Sequence, residues 1–193
     1  MPAGTTTSLL LSTIILGIDP GTNILGFSII EVEGNRVNLR EVDVLRMKKA
    51  GTHYEKLKEI FDGLQSVIKK FHPHELAIES PFFGKNVQSM LKLGRAQGVA
   101  ITVALSHNIP VFEYSPRKIK QSITGNGNAS KEQVSAILSQ LLRFDSKHLL
   151  LDATDALGVA LCHHFQRGTA TASKKSGGWK KFIAENPGRI RSL

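Results

Sequence analysis

The sequence predicts an α/β fold: a mixed five-stranded sheet with helices on both faces. Three observations lead there. Apolar runs of strand length, rich in β-branched residues, open the chain and are separated by turn residues. Helical periodicity begins only after the third of them. Strand and helix patterns then alternate before a closing series of helices, the order that covers a sheet on two sides. With 193 residues and no internal repeat, one domain can bury a core of its own.

Each element has a local cause. Ile14 to Asp19 is a buried strand, closed by Pro20-Gly21. Leu25 to Val32 is the second, and Glu33-Gly34-Asn35 turns the chain back. Val37, Leu39, Val42 and Val44 alternate with one break in phase, predicting a third antiparallel strand with a bulge, reaching Met47. Tyr54, Leu57, Ile60, Phe61, Leu64, Val67, Ile68 and Phe71 recur at helical spacing until Pro73. Leu76 to Ser80 is a short strand carrying Glu79, followed by Pro81-Phe82-Phe83-Gly84. A long helix then runs roughly from Asn86 to His107, with Gly94 and Gly98 where small residues allow close backbone approach. Ile109 to Tyr114 is the fifth strand, and Ser115-Pro116 caps a short helix to Ile123. After the loop "TGNGNAS", Ser130 and Gln133 form a capping box for a helix to about Leu142. The last helix extends from Asp152 to about Phe165. Residues 1–13 read as a flexible leader, 14–165 as the folded domain and 166–193 as a disordered tail.

The net charge of +9 points to an anionic partner such as nucleic acid. Two thirds of it lies in the tail, where seven Lys and Arg face Glu185 alone. Cys162 is the single cysteine, so no internal disulfide forms, and a cytoplasmic location is expected. Leu9 to Ile18 lacks the basic start and small-residue cleavage site of an export signal, and is too short to span a bilayer.

Four acids stand out. Asp19 and Glu79 each end an apolar strand, and Asp152 and Asp155 open the last helix in "DATDALGVALCHH". Three helical residues rotate by about 300°, leaving the two aspartates roughly 60° apart on one face. Singly, each has an ordinary explanation as turn former, solvated strand end or helix-dipole partner. Jointly they predict carboxylates whose repulsion a divalent cation relieves, and hard oxygen donors favour Mg²⁺ or Mn²⁺. Two ions about 3.5–4 Å apart would clamp a phosphodiester for hydrolysis by water. No Ser-His-Asp constellation and no zinc spacing compete. Consecutive Cys162-His163-His164 point in different directions on a helix, and His72 and His74 read as solvated loop residues.

The segments "ILGIDPGTNILGFSII", "LAIESPFFGKNVQSMLKLGRAQGVA", "PVFEYSPRKIKQSITGNGNASKEQV" and "DATDALGVALCHH" resemble the RuvC Holliday-junction resolvases in order and spacing, over roughly Ile14 to His164. The resemblance implies a ribonuclease H-like fold and a homodimer that makes paired nicks in four-way DNA junctions, in recombination and repair, working with a branch-migration helicase complex. It places an acidic tetrad of catalytic metal ligands on Asp19, Glu79, Asp152 and Asp155, with two Mg²⁺ ions, and an aromatic that stacks on a junction base at Phe82. Phe83, its neighbour, would point the other way. Lys120 and Lys131 match basic residues that meet phosphate near the cut. Lys85, Arg117 and Lys118 are further candidates for DNA contact, although a solvated helix face explains them equally well.

Three alternatives remain at this level. An actin-like ATPase shares the "DPGT" turn but needs two such lobes, and one turn in 193 residues supplies one. A non-catalytic junction-binding protein would have no need of all four acids. Another nuclease of the same fold, one that trims RNA for instance, is separated only by its substrate.

Overall fold

A computed structural model describes residues 12–34, 36–81, 86–144 and 150–173, with side chains as far as 167. The strands are β1 (Thr13–Asp19), β2 (Ile24–Glu33), β3 (Arg36–Arg46), β4 (Glu75–Glu79) and β5 (Val111–Tyr114). The helices are α1 (His53–Phe71), α2 (Val87–Ser106), α3 (Pro116–Thr124), α4 (Lys131–Leu142) and α5 (Leu151–Ser173). One sheet has the order β3-β2-β1-β4-β5. β2 is antiparallel to both its neighbours, while β4 is parallel to β1 and to β5. Hence β1, β3, β4 and β5 all run the same way, and Asp19, Arg46, Glu79 and Tyr114 finish at one edge.

Side chains alternate across the sheet with period two, and the two cores follow that alternation. Leu16 and Ile18 of β1, with Leu76 and Ile78 of β4, bury against α1 and α2 through residues such as Ile60, Leu64, Ala100 and Val103. Ile15 and Ala77 face the other way, with Leu138, Leu157, Ala160 and Leu161 of α4 and α5. Gly17 and Asp19 share the face of Ile15, and Glu75 and Glu79 share that of Ala77. The acids that end the strands therefore look toward α5.

Glycines let α5 come close. A Cβ on Gly17 would stand 2.3 Å from the carbonyl oxygen of Ala156, and one on Gly26 would stand 1.9 Å from that of Asp152. Ser28 Oγ donates to Ala156 O at 3.0 Å. Further along α5, His163 is 1 % exposed. Its Nε2 lies 2.8 Å from Glu75 Oε2 and its Nδ1 2.7 Å from Tyr114 Oη, and its ring lies 4.3 Å from that of Phe112. Burial lowers the pKa of His163 against the pull of Glu75, and burial raises that of Tyr114 to about 12. A neutral imidazole that donates to Glu75 and accepts from the phenol satisfies all three groups. Arg167 Nε adds a 3.0 Å contact to the same carboxylate.

The capping boxes Thr52–Glu55 and Ser130–Gln133 are both formed, and Ser115 caps α3 with Pro116 in its first turn. The expected bulge is in β3, where register passes from Glu41 to Leu39 and leaves Arg40 extra. Two expectations need correction. The helix α5 continues to Ser173 rather than ending near Phe165, because Gly168 alone does not break it and the alanines that follow carry no side-chain entropy cost. Ile109 is buried but precedes β5, after Asn108 turns with φ 57°. His74 is an exposed loop residue as expected, and its Nδ1 accepts from Ile14 N at 2.9 Å. Among the described residues nothing lies within 4 Å of a Cβ on Gly94 or Gly98, which leaves that stripe of α2 open.

Candidate active site

The carboxylate edge encloses a cleft of about 170 Å³ lined by Asp19, Glu79, Asp155, Lys120, Lys131, Pro116, Ile119 and Val134. Asp19 and Glu79 reach it from adjacent parallel strands, Asp155 from α5, Lys120 from α3 and Lys131 from the first turn of α4. On its other side the same two strand-end acids border a second hollow with Pro20, Ser80, Pro81 and Leu93 of α2. Asp152 lines neither hollow, but its backbone rests over Gly26, the register partner of Asp19, and its charge bears on that residue.

Burial, then the charges of Glu79, Asp155 and Asp152, push the pKa of Asp19 up to about 8 against the opposing pull of Lys131. Glu79 rises to about 7, through burial first and Asp155 second, with Lys131 and Lys120 opposing. Lys131 Nζ lies 2.5 Å from Asp155 Oδ2. Burial acts against its charge, but that bond and the carboxylates of Asp155, Asp19 and Asp152 outweigh burial and raise its pKa. Carboxyl groups are concentrated where water is scarce, and Lys131 and Lys120 offset only part of their mutual repulsion.

This has a measurable consequence. Asp19 and Glu79 unfold to ordinary values of 3.8 and 4.5 but fold to about 8 and 7. The native state therefore holds protons that the unfolded chain releases, so stability falls as pH rises through this window. His53 and His163, with folded values below 6.5, oppose the trend only at lower pH. In EDTA the thermal midpoint should drop between about pH 6.5 and 8, and a divalent cation should reduce the drop. A flat or rising midpoint in EDTA would contradict these assignments.

The donor set fits a hard divalent ion: four carboxyl groups, two of them with raised pKa values, whose protons a bound cation would displace. They share one edge without forming a closed coordination shell. Among the described residues, no three acidic, His or Cys side chains stand close enough to hold an ion as they are.

Of the residues predicted to meet DNA, Lys120 and Lys131 line the cleft. Arg117 and Lys118 lie outside it, exposed on α3, with the Arg117 stem packed over Gly127. Phe82 and Lys85 lie outside the described residues, as does Phe83. The spacing of the sequence did not reveal a polar bridge beside Glu79. Gln97 Nε2 of α2 donates to Glu113 Oε2 at 2.8 Å, and Ser80 Oγ reaches the same oxygen at 3.4 Å.

Acids carried to one edge of such a sheet by two neighbouring strands, with a helix crossing above them, are the arrangement of the ribonuclease H-like fold. The profile of the family described as crossover junction endodeoxyribonuclease RuvC matches residues 15–163. The chain belongs to that family, whose members are metal-dependent DNA endonucleases. It is 55 % identical over 183 residues to the RuvC of Cytophaga hutchinsonii, covering 95 % of this chain and 90 % of the relative. With the RuvC of Bacteroides fragilis it shares 52 % over 180 residues, covering 92 % and 96 %. The structure of Thermus thermophilus RuvC in complex with a Holliday junction substrate superimposes with a TM-score of 0.77 at 29 % identity, over 82 % of this chain and 97 % of that one. Among the described residues no helix is long and apolar enough to cross a membrane.

Proposed function

We propose that the chain resolves four-way DNA junctions by hydrolysing one phosphodiester in each of two opposed strands, with Asp19, Glu79, Asp152 and Asp155 holding two divalent ions. Mg²⁺ is the ion expected in the cell, and Mn²⁺ should substitute. The observation that carries this reading is the cleft itself, where Asp19, Glu79 and Asp155 meet Lys120 and Lys131. Bound ions would supply charge neutralisation and an activated water. The protein's part is to fix the acids on a rigid sheet edge and an anchored helix, and to receive the phosphate. Lys131 and Lys120 can each donate to a non-bridging oxygen, which aligns the scissile bond over the acids. Arg117, Lys118 and Lys85 are assigned to phosphates further from the cut, and Phe82 to stacking at the junction centre.

Paired nicks call for a two-fold dimer with two clefts. The outward stripe of Gly94 and Gly98 on α2, flanked by Leu91 at 52 % and Leu105 at 57 % exposed, supports that helix as the dimer face. Residues 14–165 form the nuclease domain in this reading, 1–13 a leader and 166–193 a basic tail. The named relatives are bacterial RuvC proteins, which supports a cytoplasmic location and cooperation with a branch-migration helicase complex.

A cleavage assay comparing a four-way junction with linear duplex, with and without Mg²⁺, tests the proposal. Symmetric nicks in the junction alone, and only with metal, are expected. Equal cutting of linear duplex would remove the structure selectivity.

A further inference from the structure

The edge that carries the acids is also where α1 and α2 begin, because β3 and β4 both finish there. The two helices lie side by side in the same direction. His53 feels the charges of Lys92 and Arg95, and His107 Nε2 lies 2.8 Å from Gln65 Oε1. The same residue offset separates both pairs. Leu93, between those two cations in the sequence, lines the hollow that Asp19 and Glu79 border. The early turns of α2 therefore form a wall of the carboxylate edge on the side away from Lys120 and Lys131.

That wall is basic. Lys92 and Arg95 are exposed, and among the described residues neither forms an ion pair. Lys56 of α1 joins them, its Nζ 2.7 Å from Asn23 Oδ1 in the turn that follows Asp19. Tyr54 stands 76 % exposed at the same helix start. His53 Nε2 is shielded from water with no hydrogen-bond partner. Burial lowers the pKa of this imidazole, and Arg95, Lys92 and Lys56 lower it further. Exposed cations that no salt bridge among the described residues holds, beside a cleft that takes a phosphodiester, are free to meet its phosphates.

We propose that Lys56, Lys92 and Arg95 form a second phosphate-contact ridge, which grips junction DNA on the α1–α2 side of the cleft while Lys120 and Lys131 grip the other. This rests on the reading of the cleft as the site of junction cutting. Phosphate contacts position a duplex without reading its sequence, and each one releases counterions. The ridge is also continuous with the open stripe of α2, so two such ridges in a dimer would border the junction together.

The test is junction binding in EDTA at several salt concentrations, with the full chain and the Lys92→Gln/Arg95→Gln double variant. Both side chains are exposed, so thermal unfolding should match the wild type. Removing two phosphate contacts should flatten the slope of log K against log salt by about 1.8 and weaken binding at least about tenfold at moderate salt. Lys92→Arg alone should keep the wild-type slope. An unchanged slope and affinity in the double variant would overturn the ridge, as would a changed oligomeric state with an unchanged slope. The reading of the cleft fails separately, if the wild-type chain with Mg²⁺ leaves four-way junctions uncut.

Discussion

Asp19→Asn lowers the rate of junction cleavage by at least about 10³-fold, equivalent to about 4 kcal/mol of lost transition-state stabilisation. It leaves junction binding in EDTA intact. The substitution removes one charged oxygen donor from the most perturbed acid of the cleft while keeping its shape. It also removes the group on which the charges of Glu79, Asp155 and Asp152 all bear. The metal-free variant should therefore melt higher than the wild type at pH 8, a gain in stability coupled to a loss of activity. Single-turnover cleavage at saturating junction, read beside thermal unfolding in EDTA, checks both halves. A variant cutting within tenfold of the wild type would remove Asp19 from the set of ligands.

Gly26→Ala damages the same site without touching an acid. The new Cβ would stand 1.9 Å from the carbonyl oxygen of Asp152, which is backbone and cannot turn aside. Either β2 or the start of α5 must move. Overpacking of this kind costs about 1–3 kcal/mol. For a chain of this size it lowers the melting temperature by roughly 2–12 °C. Gly26 pairs with Asp19 across β1 and β2, so the displacement opens directly between Asp19 and the aspartates of α5. A misplacement of about 1 Å is enough for a loss of around 10² in rate. Circular dichroism melts and the same cleavage assay measure the two effects. A normal melting temperature with normal cleavage would show that α5 is not seated where its contacts place it.

Much of this architecture was legible in the chain. The β-branched runs marked the five strands, and the break in phase between Leu39 and Val42 marked the bulge at Arg40. Capping residues placed the starts of α1, α3 and α4 because their chemistry is local. Asp19 and Glu79 were visible as acids ending apolar strands, and period two is enough to send them to the face of Ile15 and Ala77. What stayed hidden depends on how helices lie across the sheet. Lys131 and Asp155 are 24 residues apart, and only the packing of α4 against α5 brings them to 2.5 Å. The sequence showed His163 only as one of three consecutive helix residues pointing in different directions, whereas the face that seats Ala156 and Ala160 on Gly17 turns it inward to Glu75 and Tyr114. The glycines of α2 suggested close approach in the sequence, and the fold shows that no described part of this chain makes it.

The clamp on His163 has an implication for how the enzyme responds to heat. Eight residue steps of regular helix separate that residue from Asp155, about 12 Å of stiff rod. The rod is fastened at one end by buried polar contacts and bedded along its length on Gly17 and Gly26. A support of that kind has no soft joint at which the acids could drift while the rest stays folded. Catalytic competence should consequently persist nearly to the melting transition and vanish with it, rather than fading through earlier local loosening.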